Sequence, residues 1–339
     1  MADLSARPLL ASQLDAGLFV DREQELASLE RSARARLNAL VVGERGMGKT
    51  SLLHQLERQL ESDAELAPVF IEGARRAERP EELLSLLAYR LDADRARFSY
   101  LGEMMQTVGR RPPRTPTESL LSALQAIRDA AAKRERRPVL ILDELPGGEL
   151  GYVLFGQLRD ELWSIPATWI VATEARDQAS FLRPPASAFF ETVVTLGPLS
   201  EEAAVELLRR RTADEEVGEA VLRQVTAVAE GNPRRLLSLA REAVLEGHDV
   251  NELAGAQAAQ RERAIEVGEA AGRLFDYLAV NGAASASDER MLRELGWTRS
   301  RATQLLRELE LAGLVEATSE RGESGRRKLY ALTDAGGEL

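Results

Sequence analysis

The chain has 339 residues, 44% of them hydrophobic and 29% charged, with a formal net charge of -11 and no cysteine. That composition suits a folded protein of two or three domains, and it leaves no material for a disulfide framework, a thiol nucleophile or a thiolate metal site. Its acidity argues against coating nucleic acid through bulk positive charge, so any contact with DNA has to be local.

Residues 1–18 read as an N-terminal leader without the cationic head and continuous apolar core of a secretory signal. No run approaches the ~20 apolar residues that cross a bilayer, so the expected setting is cytoplasmic, without membrane insertion. A helix is predicted from Asp21 to about Leu37, with Asp21 as N-cap and Leu26, Leu29 and Ala33 at helical spacing. The stretch Phe19-Val20-Asp21-Arg22-Glu23 resembles the box that precedes the phosphate loop in origin-recognition-type initiators and STAND ATPases of the AAA+ class, with Asp21 where glycine is usual. The resemblance implies that Phe19, Val20 and Arg22 pack on an adenine.

An apolar run, Ala39 to Val42, leads into Gly43-Glu44-Arg45-Gly46-Met47-Gly48-Lys49-Thr50-Ser51, and a helix-forming run follows. Strand, glycine-rich turn and helix form the context in which G-x-x-x-x-G-K-[ST] binds phosphate. Glycines let the backbone wrap the phosphates, with its amides pointing inward beside the positive end of the helix. Lys49 is expected to neutralise the β- and γ-phosphates of ATP or ADP, and Thr50 to offer its hydroxyl to Mg2+.

A second strand is predicted over 67–73, helix over 80–109, a proline-rich loop over 110–116 and a helix over 117–133. The residues of 80–116 assign no chemistry; the stretch separates the nucleotide motifs and is expected to be a partner-facing insertion. Pro138 to Leu142 then reads as a buried parallel strand delivering Asp143 and Glu144 to its C-terminal edge. Asp143 is expected to hold Mg2+ through water, and Glu144 to polarise the attacking water. The order of these parts resembles an AAA+ ATPase.

Further roles follow from that resemblance. Trp169 to Thr173 is a strand whose last residue, Thr173, stands at the sensor 1 position. Arg183, ahead of the strand Thr192 to Leu196, is the first choice for the arginine that reaches a neighbouring subunit's γ-phosphate, with Arg176 second. From Ser200 the chain reads as helices near 200–211, 216–229 and 233–246. The turn Gly231-Asn232-Pro233-Arg234-Arg235 resembles the sensor 2 motif of the AAA+ lid, which puts Pro233 at the adenine and Arg234 at the γ-phosphate, with Arg235 as alternate.

The last eighty residues read as helices over 272–279, 287–295 and 298–312, then a strand, a polar hairpin tip over 318–328 and a return strand over 329–332. This resembles the winged helix of initiator-type ATPases. It implies base contacts from Arg299, Ser300, Arg301 and Gln304, and phosphate contacts from Arg321, Arg326, Arg327 and Lys328. Residues 260–339 nonetheless carry 12 Lys and Arg against 14 Asp and Glu, and a winged helix also serves as a protein-docking module.

The expected fold is therefore an α/β P-loop NTPase (AAA+) core over 19–198, a helical lid over 199–258 and a winged helix-turn-helix domain over 259–339. The expected function is an ATPase whose nucleotide state controls homo-oligomerisation and engagement of double-stranded DNA. The alternative is a STAND-type signalling scaffold whose winged helix, or residues 80–116, docks a protein.

Overall fold

Asn38 sits just ahead of the first strand of the central sheet, 5% exposed, with hydrogen bonds to the starts of two other strands. Its side-chain Oδ1 accepts from the Trp169 amide at 3.0 Å, its carbonyl accepts from the Glu191 and Thr192 amides, and its own amide donates to Glu191 Oε2 at 2.7 Å. This one residue, through its side chain and its backbone, thus ties the start of β1 (Ala39–Gly43) to those of β4 (Thr168–Glu174) and β5 (Thr192–Leu196). In this computed structural model, which describes residues 4–71, 74, 77, 79–91, 116–212, 217–245, 247, 249–322 and 325–333, β2 (Leu66–Ile71) and β3 (Arg137–Leu142) complete a five-stranded parallel sheet. The strand order is β2-β3-β4-β1-β5.

Both faces of the sheet are covered, as parallel strands require. Ala39 and Val41 face one cluster with Val139, Ile141 and Ile170, under α2 (Glu23–Ala35) and α3 (Lys49–Glu61), which bring Leu29, Leu52, Leu53, Leu56 and Leu60. Leu40 and Val42 face the other cluster, where α4 (Pro80–Leu91) contributes Leu83, Leu84 and Leu87, and α5 (Pro116–Ala132) contributes Leu124 and Ile127. Each fully buried leucine stabilises by roughly 1.5–3 kcal/mol, so the alternation along β1 is what locks its register.

Several boundaries differ from the sequence reading. Pro116, expected in a loop, is the first residue of α5, where its missing N–H costs nothing. Pro80–Leu91 is core rather than partner-facing insertion, because its leucines are buried; positions 92–115, with most of the expected loop, lie outside the described residues. Asp21 does not cap α2: Asp21 and Arg22 both have left-handed backbones, φ 61° and 72°, and Arg22 holds the cap position without a side-chain cap. The leader holds α1 (Gln13–Leu18), closed by a bidentate Arg7–Asp15 pair at 2.7 and 2.8 Å. Between β3 and β4 the chain forms α6 (Gly148–Tyr152), a π-helical turn (Val153–Gln157) and α7 (Arg159–Trp163), which the sequence reading did not separate. Phe155 of that turn packs among Trp169, Phe181, Phe189 and Phe190; Phe181 belongs to α8 (Ala179–Leu182).

Contacts divide the chain into two compact units, Arg7–Leu199 and Ser200–Leu339 with Met1–Ala6. The second unit runs through α9 (Glu201–Arg211), α10 (Glu219–Ala229), α11 (Pro233–Leu245), α12 (Val250–Val267), α13 (Glu269–Asn281), α14 (Glu289–Leu295) and α15 (Arg299–Leu311). An antiparallel hairpin of β6 (Val315–Gly322) and β7 (Gly325–Leu332) follows. The expected boundary at 258/259 falls inside α12, a continuous helix. The strands also reach well into the stretch read as a polar tip, since Ser319 pairs with Lys328 and Glu320 with Arg327. Leu274, Phe275, Met291, Leu305, Leu306, Leu309 and Tyr330 form this region's core.

Candidate functional site

The loop after β1 needs its glycines for two separate reasons. Gly46 and Gly48 adopt φ of 82° and 89°, which side-chain-bearing residues resist. At Gly43 the demand is space, because a Cβ there would lie 3.0 Å from the Leu196 carbonyl oxygen. From this loop Lys49 enters α3, buried to 7% exposure, and its Nζ donates to the Gly43 carbonyl at 2.7 Å and the Glu44 carbonyl at 3.0 Å. Burial pulls the ammonium below its ordinary pKa, opposed by Glu174 first and then by Asp143, Glu144 and Glu44. A cation whose hydrogen bonds go to neutral carbonyls at the mouth of a helix is suited to taking anionic oxygens.

Because β4 lies between β1 and β3, the two motif strands flank it, and Thr50 and Asp143 meet at its C-terminal end. The Thr50 hydroxyl donates to Asp143 Oδ2 at 2.7 Å, while Asp143 Oδ1 is buried without a hydrogen-bond partner. Burial raises the Asp143 pKa, with the Thr50 bond acting against it. An orphaned carboxylate oxygen beside a hydroxyl is a hard oxygen donor set, which fits Mg2+. Among the described residues no group of three or more His, Cys, Asp or Glu stands ready for a metal, and Mg2+ shared between one carboxylate and phosphates needs none. Glu144 follows with φ 50°, a left-handed conformation that is costly for a glutamate and here sits next to a metal-competent carboxylate.

The family model described as the AAA ATPase domain matches residues 18–170. The chain carries an AAA ATPase domain. Among solved structures it is similar to Cdc6p from Pyrobaculum aerophilum, at 15% identity over 93% of that chain and 94% of this one, with a TM-score of 0.50. It also matches the ORC1 protein of Aeropyrum pernix in complex with DNA, at 21% identity over 89% of that chain and 93% of this one, TM-score 0.49. The RuvB Holliday junction branch migration motor of Thermotoga maritima matches at 16% identity, covering 96% of that chain and 97% of this one, TM-score 0.45. The likeness to Cdc6p is one of fold. None of the curated proteins matches the chain.

Within the ATPase domain, several expected contacts have a different occupation. Thr173, expected to orient water, is fully buried and its hydroxyl donates to the Leu145 carbonyl at 3.0 Å, while the Leu145 amide donates to Ala172 O at 2.9 Å. It therefore fastens the Asp143–Glu144 loop to β4. The strand continues one residue further to Glu174, which the sequence reading missed; an acid directly following the strand was the available signal. Arg22, expected at the adenine, is buried, bridging Glu25 at 3.1 Å and donating a close hydrogen bond to the Gly197 carbonyl. The Ser51 hydroxyl accepts from the Leu9 amide at 3.1 Å, so this side chain holds the leader. Phe19 and Met47 are half-buried against the apolar cluster under α2 and α3, Val20 and Arg45 are half-buried, and Glu44 is exposed. The Arg183 guanidinium stacks on Tyr152 at 4.4 Å from the ring centre.

In the second unit, Asn232 Oδ1 accepts from the Arg234 amide at 3.0 Å, starting α11 with Pro233 as its first residue. Arg234 is half-buried, whereas Arg235 is exposed and bridges Glu230 at 3.6 Å. Thr298 caps α15, and Arg299, Ser300, Arg301 and Gln304 are all exposed along it. Lys328, expected to meet phosphate, is already engaged: its Nζ bonds Glu310 at 2.9 Å and lies 4.9 Å from the Tyr330 ring centre. The side chains of Arg321, Arg326 and Arg327 lie outside the described residues. Among the described residues no helix is long and apolar enough to cross a membrane.

Proposed function

We propose that the chain is an ATP-hydrolysing switch whose nucleotide state controls assembly with further copies of itself and engagement of double-stranded DNA by a winged helix at 259–339. The observation that carries the nucleotide part is the Thr50–Asp143 bond, with Asp143 Oδ1 left open beside it and Lys49 buried under a glycine loop. In this reading Lys49 exchanges the Gly43 and Glu44 carbonyls for β- and γ-phosphate oxygens, while Thr50 and Asp143 hold Mg2+. Magnesium, when bound, neutralises phosphate charge. Glu144 orients and deprotonates the attacking water, Arg183 reaches a neighbouring copy's γ-phosphate, and Arg234 answers the γ-phosphate from α11.

DNA engagement is supported by the exposed row Arg299, Ser300, Arg301 and Gln304 at the start of α15, the part of such a helix that reaches base edges. A second reading, docking of a protein by the same domain, is favoured by Lys328 being spent on Glu310 and by the chain from Arg301 through Gln304 to Glu308. Light scattering with ADP, with a non-hydrolysable ATP analogue, and with the analogue plus duplex separates them. The expected outcome is a mass increase with the analogue that duplex extends. An unchanged mass with the analogue would sink nucleotide-driven assembly, and a duplex that never co-migrates would leave the protein-docking reading.

A further inference from the structure

Helix α12 (Val250–Val267) runs straight across the point where the sequence suggests a joint between two domains. It starts from Asp249, whose Oδ1 accepts from the Asn251 amide at 2.8 Å and the Glu252 amide at 3.1 Å, and it packs on α10 and α11 as well as on α13 and α15. Its 18 residues make a rod of about 27 Å. Segments that let domains swing are irregular and rich in Gly and Pro. Here no proline interrupts the helix, and Gly255 is its one glycine.

The C-terminal half of this rod is fastened to the proposed winged helix at three separate elements. Gln260 Nε2 donates to the Thr333 carbonyl, just past β7, at 3.2 Å; Arg261 forks onto Asp276 of α13 at 2.7 and 3.0 Å; and Arg263 donates to the Ala312 carbonyl, at the exit of α15, at 2.7 Å. The Arg261–Asp276 pair is exposed and adds little by itself. Packing adds more: Ala264 is fully buried in the same core as Leu274, Leu305 and Tyr330, and a Cβ on Gly272 would lie 2.8 Å from Ile265 Cγ1, so α13 presses closely on α12. Gly268 alone separates those two helices. Ties to three elements resist rotation about any one of them.

We propose that α12 makes the helices of 201–245 and the winged helix a single rigid body, so that whatever turn the nucleotide imposes on α11 is delivered in full to α15. The proposal rests on the switch reading above. A duplex that prefers one orientation of α15 is then held more tightly in one nucleotide state, and by linkage the duplex tightens that nucleotide by the same factor. The weak point of the rod is Gly255, exposed and with open space where a Cβ would stand; glycine inside a helix is less stable than alanine.

The chain contains no cysteine, so Gln224→Cys on α10 and Arg307→Cys on α15, both at exposed positions, carry nitroxide labels without background. Pulsed EPR on the full chain with ADP and with a non-hydrolysable ATP analogue is expected to give one narrow distance, the same for both. Two glycines inserted after Ala258 are expected to broaden it. The ratio of duplex affinities with analogue and with ADP, expected at about 5- to 150-fold in the uninterrupted chain, is expected to fall to within about twofold of unity in the inserted one. Gly255→Ala is expected to keep both the narrow distance and the ratio. Thermal melting verifies that each variant is folded; where the insertion unfolds the chain, the distance in the uninterrupted chain decides alone. A broad distance there, or one that shifts between nucleotides, overturns the proposal, and so does an inserted chain whose ratio persists. Equal duplex affinity in both nucleotide states, with the distance narrow and fixed, would instead remove the switch reading and leave the rigid body standing.

Discussion

The Thr50 hydroxyl donates to Asp143 Oδ2 across 2.7 Å, although 93 residues separate them in sequence. Asp143→Asn keeps an acceptor for Thr50 but removes the charge that a cation requires. Its melting temperature is expected to stay close to wild type while Mg2+-dependent ATP turnover falls on the order of 100-fold. A magnesium titration of turnover, run beside thermal melting, reads both quantities. Unchanged turnover would remove Asp143 from the metal site.

Glu144 combines a proposed catalytic carboxylate with a left-handed backbone, φ 50°. Glu144→Gln retains that backbone and the side-chain shape, so ATP binding is expected to persist while turnover drops by roughly 100- to 10,000-fold. Glu144→Gly removes the side chain and relieves the conformation, and is expected to gain about 1 kcal/mol of stability at the same loss of activity. Denaturant unfolding and steady-state turnover on the two variants separate the effects.

Asp63 is the clearest acid-sensitive point away from the site. The Glu65 amide donates to its Oδ1 at 2.8 Å, the Leu66 amide at 3.0 Å, and Arg34 pairs with Oδ2 at 2.6 Å. These hold the carboxyl below its ordinary value, the Glu65 amide first. Since the unfolded chain takes up the proton before the folded one, the stabilisation is complete above the ordinary Asp range and is lost as pH falls through the lowered value. Asp63→Asn is thus expected to be less stable than wild type at neutral pH, with the gap closing in acid. Melting temperatures of both proteins across that range provide the measurement; a gap independent of pH would refute it.

For the proposed winged helix, Arg299 and Arg301 are exposed cations at the start of α15. Changing both to Glu is expected to weaken duplex binding and to lower the magnitude of the salt slope by about two. Titration of duplex at several salt concentrations tests this. An unaltered slope would favour the protein partner.

The strand, glycine turn and helix over 39–61 and the strand Arg137–Leu142 were legible because each is local: an apolar run, a turn that demands glycine and a helix follow one another directly. Side-chain destinations were less so. Nothing in the sequence around Thr173 says that its hydroxyl is spent on Leu145, because that partner arrives from a different strand. Likewise Lys328 reads as part of a basic run, and nothing local in the sequence says that Glu310, 18 residues earlier, takes it up. Pro80–Leu91 carries core leucines at helical spacing, yet local sequence does not say that they pack against the sheet rather than a partner.

The bond from Arg22 to the Gly197 carbonyl joins the first turn before α2 to the residue where β5 leaves the core. A substitution at Arg22 therefore unlatches the exit of the domain, and weakened nucleotide affinity in such a variant would be the signature of a slack frame rather than of a missing handhold on the base.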